Sequence, residues 1–285
     1  VVASCTLTSV AFFMDENSRS SASLHNASFP HFREIGSSIK QLGGDLARAS
    51  SALSTSSLSY CSDDEKPKKK NYLPQLYIYD HCPFCVRARM IFGLKSIKHN
   101  LVFMSSDDWD TPEGLVGKKV APILEIKHED GKDEVMPESM DIVWRIDNDP
   151  KYGQPLLKGK PELREDLAQW MKDTRDLFRR ALHTRHVMVP LPEFQFRSAR
   201  EVFIQRHPLA EPSDYNENYY NSALVEEMNQ KLLELDAMIF SPECCTDGGL
   251  SYDDIAVFGK LRSVTLIRGI KIPPKMKAYI ESMSE

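Results

Sequence analysis

The sequence predicts two folded parts in tandem, a small α/β domain and then an all-helical one. Three observations predict this. Short β-branched and aromatic runs alternate with helical periodicities up to residue 147, a Pro-, Gly- and Lys-rich stretch follows, and only helical periodicity lies beyond it. The chain of 285 residues, 41% hydrophobic and 27% charged, is long enough for both. The expected boundaries are a disordered or targeting segment over 1–73, the α/β domain over 74–147, a linker over 148–160 and the helical domain over 161–285.

Residues 1–60 are Ser-rich, with few acids (Asp15, Glu16, Glu34, Asp45) and scattered basic residues (Arg19, Arg33, Lys40, Arg48). That composition resembles an organellar transit peptide, which places the protein in a plastid or mitochondrion. The alternative is a disordered tail on a cytoplasmic protein, since such sequence cannot bury enough apolar surface to offset ordering entropy. Ile35, Ile39, Leu42 and Leu46 have the spacing of a short amphipathic helix, and Lys66 to Lys70 reads as a solvated linker.

Leu76-Tyr77-Ile78-Tyr79, bounded by Pro74 and Asp80, reads as a buried strand. Pro83 suits a first helical position because it lacks an N–H that would be orphaned there. Val86, Met90, Ile91 and Leu94 then give an apolar face. Leu101 to Met104 reads as a second strand, parallel to the first across a right-handed connection. Asp110 to Lys118 reads as a short irregular helix. Ile123 to Ile126 and Asp133 to Met136 flank a polar turn at Glu129-Asp130-Gly131 and form a hairpin. Pro137-Glu138-Ser139 opens a last helix with Met140, Val143, Trp144 and Ile146 on its apolar face. The order is βαβαββα.

Beyond the linker, Leu163, Leu167, Trp170, Met171, Leu177 and Phe178 fit one long helix, and Leu224, Met228, Leu232, Leu235, Met238 and Ile239 fit another. Ser251 with Asp254 three residues on reads as a capping box before Ile255, Val257, Phe258 and Leu261.

Composition excludes several classes. A net charge of −5, from 36 basic and 41 acidic residues, offers no global positive field, so nucleic acid is not an expected partner. No apolar run approaches the roughly 20 residues of a membrane-spanning helix. Six cysteines in a chain this long do not make a disulfide scaffold, and each is judged by its neighbours.

The chemistry-bearing motif is Cys82-Pro83-Phe84-Cys85. The thiolate is the nucleophile, and an ordinary thiol is only a few per cent ionised at neutral pH. At a helix N-terminus, unpaired N–H groups and the macrodipole stabilise the anion, and Arg87 and Arg89 stand nearby. Cys85, one turn on, is placed to reach back and resolve a mixed disulfide. Zinc is the competing reading, and it needs two further ligands. Cys244-Cys245 lack ligand spacing, and His183 and His186 fall within a helix with no cysteine pair beside them, so no metal is expected. Cys244 and Cys245 read as loop thiols, a vicinal disulfide or an oxidation site.

Residues 76–94 (LYIYDHCPFCVRARMIFGL), 116–124 (VGKKVAPIL), 136–143 (MPESMDIV) and 250–269 (LSYDDIAVFGKLRSVTLIRG) resemble the glutaredoxin 2 family, which consists of glutathione-dependent redox proteins. The resemblance implies a thioredoxin-like N-terminal domain and an all-α C-terminal domain in a glutathione-transferase-like arrangement. It implies that Cys82 is the nucleophile and Cys85 the resolving thiol. Pro122 would be a cis proline facing them, and the Ala121 main chain would pair with the cysteinyl unit of glutathione. Glu138 and Ser139 would hold its γ-glutamyl end, although Ser139 also reads as a plain N-cap. The chain departs from the family's usual tyrosine at Phe84 and its usual valine at Ala121.

The implied function is a glutathione-dependent thiol-disulfide oxidoreductase reducing protein disulfides and glutathione mixed disulfides, with glutathione as co-substrate. Its expected partners are disulfide-bearing or glutathionylated proteins, and the expected oligomeric state is a monomer. Alternatives are another enzyme of the glutathione-transferase superfamily, of prostaglandin isomerase or dehydroascorbate reductase type, or a non-enzymatic iron-sulfur carrier or scaffold.

Overall fold

The computed structural model describes residues 72–210 and 214–285; the expected leader and its amphipathic helix lie outside them. The first part runs β1 (Gln75–Ile78), α1 (Pro83–Leu94), β2 (Asn100–Phe103), α2 (Asp110–Val116), β3 (Ile123–Ile126), β4 (Glu134–Pro137) and α3 (Ser139–Asp147). The sheet order is β2-β1-β3-β4, with β1 parallel to β2 and the other pairs antiparallel. This is the expected βαβαββα order, with three strands displaced by one residue.

Register decides what meets at one end of this sheet. Tyr77, one residue before the end of β1, pairs with Ile123 at the start of β3, and Ile123 pairs in turn with Pro137 at the end of β4. The segment after β1, the two residues before β3 and the two after β4 therefore emerge at the same edge. These are the segments that carry Cys82, Ala121-Pro122 and Glu138-Ser139.

Leu76, Ile78 and Leu124 are buried, covered by Ala88, Ile91 and Phe92 of α1 and by Ile142, Val143 and Ile146 of α3. Two expected core residues are exposed. Leu94 is the last residue of α1, and Trp144, 51% exposed, follows Val143, so the 100° step between neighbours turns it to the flank when Val143 faces the core. The linker is tied down. The buried Asp147 carboxylate accepts the N–H groups of Leu156 (2.8 Å) and Leu157 (3.2 Å), and Lys95 Nζ donates to the carbonyls of Asp147 and Gln154.

The helical part comprises α4 (Glu165–Asp173), α5 (Arg175–His186), α6 (Arg197–Arg206), α7 (Tyr215–Tyr220), α8 (Ser222–Met238), α9 (Tyr252–Leu261) and α10 (Pro274–Ser284). The single helix expected through Leu163 and Phe178 is two. It breaks at Thr174, whose hydroxyl donates to the Trp170 carbonyl at 2.7 Å, a side-chain bond that bends helices, and accepts from Lys260 Nζ at 3.0 Å. The capping box at α9 forms as expected. Its Asp254 also accepts the N–H of Cys245 (2.6 Å) and the Tyr279 hydroxyl (3.1 Å). Cys244 and Cys245 are free thiols, buried beneath that box.

Helix α9 lies directly on α1. A Cβ at Gly259 would stand 2.8 Å from the Pro83 carbonyl and 2.9 Å from Arg87 Cγ, so only glycine permits this approach to the start of α1.

Candidate active site

Cys82 is the N-cap of α1 in extended conformation (φ −71°, ψ 120°), with Pro83 at the first helical position. No side chain caps this end, so the first N–H groups of the helix remain available to the sulfur. Cys82 is partly exposed and Cys85 wholly buried. The Cys82 thiol is pulled down to about 7, chiefly by a hydrogen bond from the Cys85 thiol. The charge of His81 and the N–H groups of Cys85 and Phe84 add to this, against the cost of desolvation. Burial pushes the Cys85 thiol well up, and the neighbouring Cys82 sulfur pushes it further. The Tyr79 N–H points at Cys85 Sγ, 3.4 Å away. The two cysteines thus divide into a partly exposed, more acidic thiol and a buried proton donor.

The helix terminus is one contributor among several, and the two arginines divide their work. Arg87 is largely buried, packs over the Phe84 ring at 4.9 Å and senses the Cys82 charge. Arg89 does not serve the sulfur. Its guanidinium donates to Asp80 at 2.7 Å, and Arg262, from just beyond α9, donates to the same carboxylate and to the Asp80 carbonyl. The Phe84 ring is half-exposed.

At the same sheet edge the Ala121-Pro122 bond is cis. Glu138 has φ +72°, in the left-handed region that a non-glycine residue occupies at a cost of about 1–3 kcal/mol. That kink turns β4 into α3 and places Ser139, buried, as the first helical residue. Glu138 rather than Ser139 is the N-cap, and no side-chain capping bond forms, so Ser139 is not a plain N-cap. The Glu138 carboxylate is exposed and pairs with Lys118 at 3.3 Å.

The sequence reading missed two residues. His81, immediately before Cys82, and Glu193, in a 3-10 turn at Pro192–Phe194, are both buried and hydrogen-bonded to each other. No local pattern marks Glu193, which lies 112 residues from its partner.

Residues 81–149 match the family described as glutathione S-transferase, N-terminal domain, and residues 166–285 match glutaredoxin 2, C terminal domain. Glutaredoxin 2 of Escherichia coli K12 is 36% identical over 213 residues, covering 74% of this chain and 94% of its own length. The chain belongs to the glutaredoxin 2 family. The same identity and coverage hold for glutaredoxin 2 of Escherichia coli O157:H7. A crystal structure of glutaredoxin 2 from Salmonella typhimurium in complex with glutathione is 38% identical, covers 75% of this chain and 94% of its own, and superposes with a TM-score of 0.67. The glutathione-transferase-like fold expected from the resemblance is therefore the fold of this family member, a small mixed sheet with helices followed by a helical domain.

Proposed function

We propose that this glutaredoxin 2 family member is a glutathione-dependent oxidoreductase that reduces glutathione mixed disulfides and protein disulfides through Cys82 and Cys85. The observation that carries this reading is the placement of the pair, with Cys82 partly exposed at the uncapped start of α1 and Cys85 wholly buried one turn behind it. A glutaredoxin 2 relative crystallised with glutathione supports glutathione as the co-substrate.

Cys82 thiolate attacks the glutathionyl sulfur of a mixed disulfide along the S–S axis. The target thiolate leaves and takes a proton from solvent, and Cys82 carries the glutathionyl group. A second glutathione thiolate attacks that glutathionyl sulfur, releasing oxidised glutathione and restoring Cys82. With a protein disulfide, Cys82 bonds one target sulfur and expels the other. Forming that bond removes the negative charge that held the Cys85 proton, so Cys85 ionises more readily and attacks Cys82 Sγ. The target leaves as a dithiol, and two glutathiones reduce the Cys82–Cys85 disulfide and leave as oxidised glutathione, so that electrons pass from glutathione through the pair to the target.

The roles of the remaining residues follow the sheet edge. The Ala121 main chain, beside Pro122, pairs with the cysteinyl unit of glutathione. The N-terminus of α3 at Ser139, with Glu138, receives its γ-glutamyl end. The partners are glutathione and disulfide-bearing or glutathionylated proteins, met by a monomer. The curated relatives are bacterial, which is in line with the cytoplasmic alternative and adds nothing for an organellar leader.

Cys82→Ser abolishes glutathione-dependent reduction of a mixed disulfide, whereas Cys85→Ser retains much of it and loses reduction of protein disulfides. Full activity in Cys82→Ser would overturn the assignment.

A further inference from the structure

Glu193 is wholly buried, and among the described residues its side chain meets one hydrogen-bonding partner. Its Oε1 accepts the His81 backbone N–H at 2.8 Å and lies 2.6 Å from His81 Nδ1, while Oε2 is buried without a partner. A carboxylate only accepts, so Nδ1 carries a proton. Around the pair stand the rings of Phe194 and Phe203 at 5.1 Å from His81 and of His186 at 4.9 Å. A carboxylate in such surroundings is tolerable as an anion only beside a positive charge.

The other titratable groups facing His81 do not supply that charge. On its own segment, burial raises the Tyr79 phenol well above its usual range and keeps it neutral. On α5, burial drives His186 well below the usual imidazole value and His183 down to about 3. His207, after α6, is lowered for the same reason. Asp80 is occupied by Arg89 and Arg262, and Ser263 bonds only the His81 carbonyl.

We propose that Glu193 is a positioning residue for the reactive thiol: reaching across from the helical part, it holds His81 as an imidazolium directly before Cys82, the positive end of the pair favouring the Cys82 thiolate and the negative end keeping Cys85 protonated. This rests on Cys82 being the reactive thiol. The two ends act on the two sulfurs separately. His81 is among the charges that lower Cys82, and Glu193, after burial and Cys82 itself, is among those that raise Cys85.

Glu193→Gln keeps the shape and an acceptor for both bonds while removing the charge. The test compares the pH dependence of Cys82 alkylation by iodoacetamide in this variant and in the unaltered full chain. The midpoint is expected to rise by about one pH unit, with a roughly tenfold slower reaction at pH 6.5. A folded variant with an unchanged midpoint would overturn the proposal, because a purely structural bond survives the substitution. If Glu193→Gln does not fold, nitrogen-15 spectra of histidine-labelled unaltered protein decide. Two protonated ring nitrogens on His81 at pH 7.5 support the proposal, and one overturns it. Loss of glutathione-dependent reduction in the unaltered protein would count against the proposed function, whereas an unshifted midpoint counts only against the role of Glu193.

Discussion

A sulfur atom becomes a nucleophile here through its neighbours rather than its position in sequence. The largest influence lowering Cys82 is the thiol of Cys85, which donates a hydrogen bond to it. Removing that donor removes stabilisation of the anion, so Cys85→Ala is expected to move the alkylation midpoint of Cys82 up from about 7 toward the ordinary thiol range. Cys85→Ser keeps a donor and is expected to move it less. Equal midpoints in the two variants would show that the hydrogen bond is not the cause. At this scale the sequence was informative about where Cys82 and Cys85 stand, because Pro83 and the apolar spacing after it mark the start of α1 locally. It overvalued Arg89, whose charge is consumed by Asp80, a partner nine residues back that no charge count reveals.

The helices and strands set where those residues stand, and Gly259 is the tightest point of that arrangement. Gly259→Ala puts a methyl group against the Pro83 carbonyl and the Arg87 stem, and because the carbonyl is backbone, α1 or α9 must shift. The expected cost is about 1–3 kcal/mol in denaturant unfolding, with slower alkylation of Cys82 as the start of α1 moves. A variant as stable and reactive as the parent would contradict this packing. Most elements were legible because strand and helix periods differ. The break at Thr174 was not, since the apolar spacing of Leu167, Trp170, Leu177 and Phe178 runs across a one-residue kink unaltered. Trp144 misled for a related reason, since its spacing from Met140 put it on the apolar face, whereas α3 turns Val143 to the core and Trp144 to the flank.

Over the whole folded part, three ties join the α/β half to the helical half beside the cysteine pair. They are α9 on α1, Arg262 on Asp80, and Glu193 on His81. Residues 72–285 are therefore expected to unfold in one transition, reported alike by far-ultraviolet circular dichroism and by the fluorescence of Trp109, Trp144 and Trp170. Separate transitions would mean that the halves are independent. Burial opposes ionisation of Asp80 and Glu193, yet Arg262 and Arg89 hold the first below its usual range and His81 the second. A carboxylate depressed on folding contributes stability above its unfolded pKa and loses it as pH falls through the folded value. Stability should therefore decline in two stages as pH falls, first below about 6.5 as the unfolded chain protonates His183, His186 and His207, which burial keeps neutral in the fold, and then further below about pH 4. These ties were not legible in the sequence, because each joins residues far apart in the chain and no periodicity records which surfaces will meet.

The most direct test of the account is the rate of iodoacetamide reaction at Cys82 followed against pH, with the modified residue located by peptide mass spectrometry. The account predicts a midpoint near 7 with Cys85 unmodified. A midpoint in the ordinary range near 8.5, or reaction at Cys85 first, would contradict it.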